Sequence, residues 1–204
     1  MISLLIDTST SNLTVSIIND QEVIYIYQET ILSDMSSKLL PIIDNGLKEL
    51  DLKLENIDKI FVVNGPGSFT GIRVGVTVAK TIAWALKKDI IPLSSLELIA
   101  TTNTSKKYIV PMIDARRNNV FAGIYDNHLN CIKEDKLISR DELSNLNDDY
   151  EFVSYDNIAG VIKPNIDVLK IINKHINDKG INPHNLNPNY LKLTEAEENK
   201  LKND

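Results

Sequence analysis

Asn64-Gly65-Pro66-Gly67-Ser68-Phe69-Thr70-Gly71-Ile72-Arg73-Val74-Gly75 follows an apolar run, Ile57 to Val63, and opens a second one that reaches Leu86. Ile60, Phe61, Val62 and Val63 predict a strand. From about Thr70 onward, Ile72, Val76, Ala79, Ile82, Ala83 and Leu86 recur at the spacing of one helical face. The quoted string is therefore a strand-to-helix junction, where Gly65, Gly67 and Gly71 permit positive φ and close backbone approach. Such a junction can bind an anion on the helix N-terminus. Its spacing is G-x-G-x-x-x-G, however, one residue longer than the dinucleotide fingerprint, and no Gly-Lys-Ser/Thr follows to make a Walker loop. Two readings stand side by side: glycines for a tight turn and close helix packing, or a cradle for an anion.

On the N-terminal side, Ile2 to Ile6, Leu13 to Ile18 and Val23 to Tyr27 read as three short strands of a meander, joined by polar turns. Leu39, Leu40, Ile43, Leu47 and Leu50 mark a helix from about Ser36, with Asp34, Ser36 or Ser37 to cap it. On the C-terminal side, Ile90 to Leu93 is a strand and Ser95 begins a helix through about Thr101. Helical crossovers generate parallel strand pairs, so this order implies a mixed sheet covered by helices.

The pattern then restarts. Ile109 to Asp114 followed by Val120, Ala122 and Ile124 lies over Ile2 to Asp7 followed by Leu13, Val15 and Ile17, at the constant offset of 107 that separates Asp7 from Asp114. Apolar alternation, strand-ending aspartate and turn length are all kept, which favours an internal duplication. The second copy is shortened: after Cys131 to Ile138 and a helix expected to open near Ser139, only Glu151 to Ser154 and Val168 to Ile176 are clearly apolar. We divide the chain into a first lobe at 1–104, a reduced second lobe at 105–187 and a tail at 188–204, whose Glu195 to Asp204 are charged and expected to be mobile. Asn182 to Pro188 reads as a proline and asparagine connector.

Composition narrows the function. With 22 basic and 28 acidic residues the formal net charge is -6, so no overall positive field exists to hold a nucleic-acid backbone. One cysteine, Cys131, can make neither an internal disulfide nor a cysteine-based zinc site, which fits a reducing cytoplasm. No run approaches the roughly 20 apolar residues that cross a bilayer. His128, His175 and His184 lack metal-ligand spacing and are expected on the surface. Asp7 and Asp114 end the duplicated strands; they either cap turns by Asx hydrogen bonds or, with Thr8, Thr10 and Arg116, line a vestigial nucleotide cleft. Arg116 and Arg117 read as a solvated turn or an anion contact. Ser68 and Thr70 have no activating histidine or lysine nearby in sequence, which argues against a serine hydrolase.

Gly65-Pro-Gly-Ser-Phe-Thr-Gly-Ile-Arg-Val-Gly75 resembles the signature of the TsaB (YeaZ) family. The resemblance extends in order through Leu5-Ile-Asp7-Thr-Ser-Thr10, Leu39-Leu-Pro41, Ser94-Ser-Leu-Glu97, Ile113-Asp-Ala-Arg116 and Pro188-Asn-Tyr-Leu191. Met35 and Lys192 depart from it, where a histidine and an arginine are usual. The resemblance implies an α/β fold of the actin-like or Hsp70-like ATPase (ribonuclease H-like) type, with two duplicated mixed-sheet lobes, the second truncated. It implies a non-catalytic partner of TsaD that acts with TsaD and TsaE in threonylcarbamoyl transfer to adenosine 37 of tRNAs reading ANN codons. It further implies contact with tRNA only through that complex, a homodimer when TsaD is absent, and no tightly bound cofactor beyond a weak ATP or ADP contact in the complex.

The helix after the signature carries a second stripe, Val74, Val78 and Ala85, and the first helix is similarly broad, so a docking surface is expected on both. By the resemblance, the two helices meet the partner's equivalents in a four-helix bundle. We assign this interface to Leu39, Ile42, Ile43, Gly46, Leu47, Ile72, Val76, Ala79, Lys80 and Ala83, and a signature loop to Gly65, Gly67, Ser68, Thr70, Gly71 and Arg73. The competing expectation is a small metal-dependent phosphotransferase or nuclease working at the Asp7 and Asp114 cleft.

Overall fold

The computed structural model describes residues 1–31, 33–143, 146 and 148–191. Lys192 and the charged tail fall outside them. The first sheet has the order β3-β2-β1-β4-β5, formed by β1 (Ile2–Asp7), β2 (Asn12–Asn19), β3 (Glu22–Thr30), β4 (Ile57–Gly65) and β5 (Ile90–Ser94). The meander is antiparallel, whereas β4 pairs in parallel with both β1 and β5, because α1 (Met35–Glu49) and α2 (Phe69–Leu86) carry the chain back over one face.

The second sheet repeats the plan in the order β8-β7-β6-β9, from β6 (Tyr108–Asp114), β7 (Asn119–Asp126), β8 (Cys131–Ser139) and β9 (Tyr150–Val153), with β9 parallel to β6 as β4 is to β1. This is the duplicated, actin-like α/β architecture with a reduced second copy. The two leading hairpins differ by one residue in register: Asp7 pairs with Thr14, but Asp114 pairs with Val120, the counterpart of Leu13. Arg116, Arg117 and Asn118 turn the second hairpin with φ of 69°, 54° and 61°, a left-handed run costing side-chain-bearing residues about 1–2 kcal/mol each. The helix expected near Ser139 is instead a four-residue 3-10 turn, Arg140–Leu143.

Strand alternation assigns the cores. Leu4, Ile6, Ile60 and Val62 lie under α1 and α2, while Leu5, Phe61 and Val63 face the opposite way, toward Ile109, Ile113, Phe121 and Val153 of the second sheet. Between the sheets sit α3 (Ser95–Ile99), capped by Ser94, and α4 (Val168–His175), capped by Asp167. On α1, Leu40 is 55% exposed, so it is not part of the inward stripe that the spacing predicted; Ile42 and Gly46 fill that stripe with Leu39, Ile43 and Leu47. Asp34 takes φ 60° and makes no side-chain cap; its carbonyl accepts from Ser37 Oγ at 2.8 Å.

One polar junction ties α3 to α4. Glu97, 8% exposed, accepts from Lys174 Nζ at 2.6 Å and meets His175 Nε2 at 3.0 Å, while His175 Nδ1 meets Asp178 at 2.6 Å. His175 is therefore an interior partner rather than the surface residue its spacing predicted. Its hydrogen bond to Glu97, more than its bond to Asp178, raises its pKa against the opposing effect of burial. A raised imidazole pKa contributes stability that is full below the unfolded value near 6.5 and lost as pH rises through the folded value. Wild type should thus exceed His175→Gln in urea midpoint at about pH 6 by a margin that shrinks toward about pH 9. A margin that stays constant over that range would remove the ionic reading.

Candidate functional site

The strand-to-helix junction is assembled against the first hairpin turn. Ser68 is the N-cap of α2, its Oγ accepting from Gly71 N at 3.2 Å, which assigns this hydroxyl a structural hydrogen bond. Ser68 N donates to Ser9 O at 2.7 Å, Thr8 Oγ1 donates to Gly71 O at 2.7 Å, and Ser95 Oγ donates to Pro66 O. A Cβ on Gly67, Gly71 or Gly75 would fall far inside contact distance of Ser9 O, Thr8 O and Thr8 Oγ1 respectively. Gly67 also holds φ 150°, and Gly65 φ 122° with Asn189 O only 2.5 Å from where its Cβ would sit. The space that the glycines open on this side is filled by the carbonyl oxygens of Thr8, Ser9 and Asn189, which repel an anion, and by the Thr8 hydroxyl. Close packing of helix, loop and hairpin is what the glycine spacing provides.

The duplicated aspartates form the same Asx turn twice: Asp7 Oδ1 accepts from Ser9 N at 2.8 Å and Asp114 Oδ1 from Arg116 N at 3.1 Å. Their surroundings differ. Asp7 is 4% exposed and burial raises its pKa to about 6 against smaller lowering by the Ser9 hydroxyl and amide. Asp114 is exposed, and its amide donates to Asp156 Oδ2 at 2.7 Å.

A cleft of about 430 Å³ is lined by Ser9, Thr10, Ser68, Asp114, Arg116 and Asp156 among others, but not by Asp7 or Thr8. An adjoining hollow of about 550 Å³ shares Thr10, Ser68 and Arg116 with it and adds Thr70. Thr10, Asp114 and Arg116 are thus brought to one surface, and Asp7 and Thr8 are sealed beneath it. Its lining of hydroxyls and both charge signs can offer hydrogen bonds to a polar guest. Among the described residues no three His, Cys, Asp or Glu side chains come together to hold a metal.

The chain's last described segment meets the same junction from outside. Ile181 and Ile90 exchange backbone hydrogen bonds at 2.9 and 3.0 Å, and Leu186 is buried against α2. Lys80 Nζ donates to Leu186 O at 2.8 Å, Asn64 Nδ2 to Asn187 O at 3.0 Å, and Asn189 N to Asn64 O at 2.7 Å. Tyr190 stacks on Phe69 at a centroid distance of 4.5 Å and accepts from Arg73 Nε at 2.7 Å. Asn64, Phe69 and Tyr190 thus join the residues of this junction. Their signal was there: Phe69 and Arg73 are large side chains of the signature that no inward stripe accounts for.

The helix faces require a correction. Leu39, Ile42, Ile43, Gly46, Leu47, Ile72, Val76, Ala79 and Ala83 are all buried within this chain, and Lys80 is turned to the C-terminal segment. The larger apolar stripe of a helix on a sheet goes to the sheet, so these residues build the core of this chain. Outward, α1 exposes Leu40 beside polar residues that include Lys38, Asp44, Asn45 and Lys48, and α2 exposes Arg73, Thr77, Thr81, Ala85 and Trp84, the last 64% exposed, flanked by half-buried Val74 and Val78.

A family model described as TsaD, tRNA N6-adenosine threonylcarbamoyltransferase, matches residues 29–164, more than half of the chain. The tRNA threonylcarbamoyladenosine biosynthesis protein TsaB of Bacillus subtilis is 37% identical over 126 residues, 61% of this chain and 55% of that protein. TsaB of Haemophilus influenzae is 34% identical over 121 residues, 58% of this chain and 51% of that protein. The chain spans only about half the length of these curated relatives in the match. The solved structure of YeaZ from Pseudomonas aeruginosa superposes with a TM-score of 0.80 at 21% identity, covering 93% of this chain and 99% of that one, a likeness of fold.

Proposed function

This chain belongs to the TsaD family, on its TsaB (YeaZ) branch, and from that premise we propose that it serves tRNA threonylcarbamoyladenosine biosynthesis as a non-catalytic scaffold subunit. Its partners are a TsaD protein, which carries out the transfer to adenosine 37 of tRNAs reading ANN codons, and TsaE; tRNA is met only through the complex. The observation that carries this reading is the division of labour on α2. Its glycine-lined end is packed shut on the first hairpin, while its outer face, with that of α1, leaves Leu40, Ala85 and Trp84 uncovered. Exposed tryptophan beside aliphatic and small side chains suits the well-packed centre of a helical interface. That face docks the equivalent helices of TsaD, and pairs two copies of this chain when TsaD is absent. The cleft lined by Thr10, Asp114 and Arg116 is the place where a weak ATP or ADP contact would fall in the complex.

Reconstitution tests the role: with TsaD, TsaE, a threonylcarbamoyl-adenylate synthase, tRNA, threonine, bicarbonate and ATP, the modified nucleoside should form only when this chain is present. Undiminished modification without it would sink the proposal. The face has its own test. Val76→Glu or Ile43→Glu would place a charge in this chain's core, so the informative changes are Leu40→Glu and Ala85→Glu, both at exposed positions. Each should weaken capture of TsaD by about tenfold or more, on the order of 1.4 kcal/mol, with little change in melting temperature. Wild-type affinity in the double variant would move the interface elsewhere.

A further inference from the structure

We propose that Leu186 to Leu191 form a positioning strap for partner recognition: clasped by Asn64, Phe69 and Arg73, the strap fixes the first turns of α2 and thereby the face that docks. This rests on the reading that the outer face of α1 and α2 binds the partner. Phe69, Arg73, Val76, Lys80 and Ala83 follow one another at i, i+4, i+7, i+11 and i+14, a single flank of the helix. The strap runs antiparallel down that flank: Tyr190 sits at Phe69 and Arg73, the Leu186 carbonyl at Lys80, and Pro183 beside Ala83.

The sheet holds α2 from below, through Ile72, Gly75, Ala79 and Ile82, and α1 packs on the other flank. The strap covers the remaining side, so the outer face alone stays free. Its register is pinned twice. Asn64 both donates to Asn187 O and accepts from Asn189 N, and Tyr190 stacks on Phe69 while accepting from Arg73. Leu191 then packs between the two sheets, and Leu186 under α2. A helix one turn out of place, about 5.4 Å, would break all of these contacts together. Arg73 and Tyr190 are thus positioning residues, acting on the partner through α2.

Tyr190→Ala and the milder Tyr190→Phe, which keeps the stack and loses the acceptor, separate this role from bulk stability. Partner affinity is measured well below each variant's melting midpoint, with amide exchange followed across residues 69–77. Tyr190→Ala should weaken partner capture about tenfold and speed exchange in the first turns of α2, and Tyr190→Phe should change affinity by less than about threefold. If Tyr190→Ala does not fold, Arg73→Ala, which truncates an exposed side chain, is read by the same two measurements. A lowered melting midpoint with affinity within about twofold of wild type would overturn the proposal. Leu40→Glu distinguishes the two levels. Where it abolishes capture and Tyr190→Ala does not, the strap inference fails alone; where neither matters, the docking reading fails as well.

Discussion

Gly71→Ala is expected to destabilise the fold by about 3 kcal/mol or more, opposite in sign to the usual gain of about 1 kcal/mol from this change inside a helix. Gly71 lies in the first turn of α2, and a Cβ there would collide with the carbonyl oxygen of Thr8. That oxygen cannot retreat. Thr8 directly follows β1, which is bonded to β2 on one side and β4 on the other, and its own side chain already donates to Gly71 O at 2.7 Å. Relief must come from lifting α2 off the sheet, which opens Gly75 from Thr8 and loosens Ile72 and Val76 in the core. For a chain of this size, about 3 kcal/mol corresponds to a fall of roughly 6–12 °C in melting temperature. Thr81→Ala on the exposed side of the same helix should move it by less than about 2 °C. A Gly71→Ala protein as stable as wild type would mean that the junction has room, and the anion reading of the signature would return.

Much of the architecture was legible because it rests on local periodicity. The alternation in β1 and β2 and its repetition at β6 and β7, ended each time by aspartate, follow from strands half or wholly buried in matching sheets. Periodicity also showed that α2 carries two apolar stripes, but not which one faces out. Treating Ile72, Val76 and Ala79 as the interface ignored that the bulkier stripe gains most by burial against the sheet. Leu40 was counted with the inward stripe of α1 although the fold turns it out, and Trp84 stands outside every regular stripe. The strap was invisible for a different reason. Asn64 and Asn187 are 123 residues apart and meet through a side-chain amide and a backbone carbonyl, a pairing that no local pattern encodes. His175 shows both cases at once: its pairing with Asp178 lies across the turn that follows α4, three positions on, whereas Glu97 lies 78 positions away. The cleft was half legible, since the matched Asx turns follow from the repeat, but the sealing of Asp7 depends on how β2 and α2 cover it.

Asp7→Asn should make the chain more stable at neutral pH, by about 2–3 kcal/mol, and flatten its dependence on pH. The carboxylate is 4% exposed, no cation contacts it among the described residues, and the Ser9 amide donates to it at 2.8 Å, with the Ser9 hydroxyl also lowering its pKa. Burial therefore raises its pKa from 3.8 to about 6. Between those values the folded chain binds the proton more tightly than the unfolded one, so stability falls as pH rises through the window, and above it the whole cost of the buried charge is present. Asparagine keeps the oxygen that accepts from Ser9 and carries no charge. Urea midpoints of the two proteins should coincide near pH 3, diverge from about pH 4 to 6, and stay apart above that. A pH-independent gap would show that folding leaves the Asp7 pKa unshifted. The same variant decides what the charge is for. A buried carboxylate kept at such a cost is the kind of group that a metal-dependent phosphotransferase or nuclease would need, whereas a scaffold needs only the Asx turn. In the reconstituted system Asp7→Asn should support tRNA modification at the wild-type rate, because the turn survives and the first hairpin still fills the glycines of α2; loss of modification in a protein that has become more stable would assign Asp7 to the chemistry.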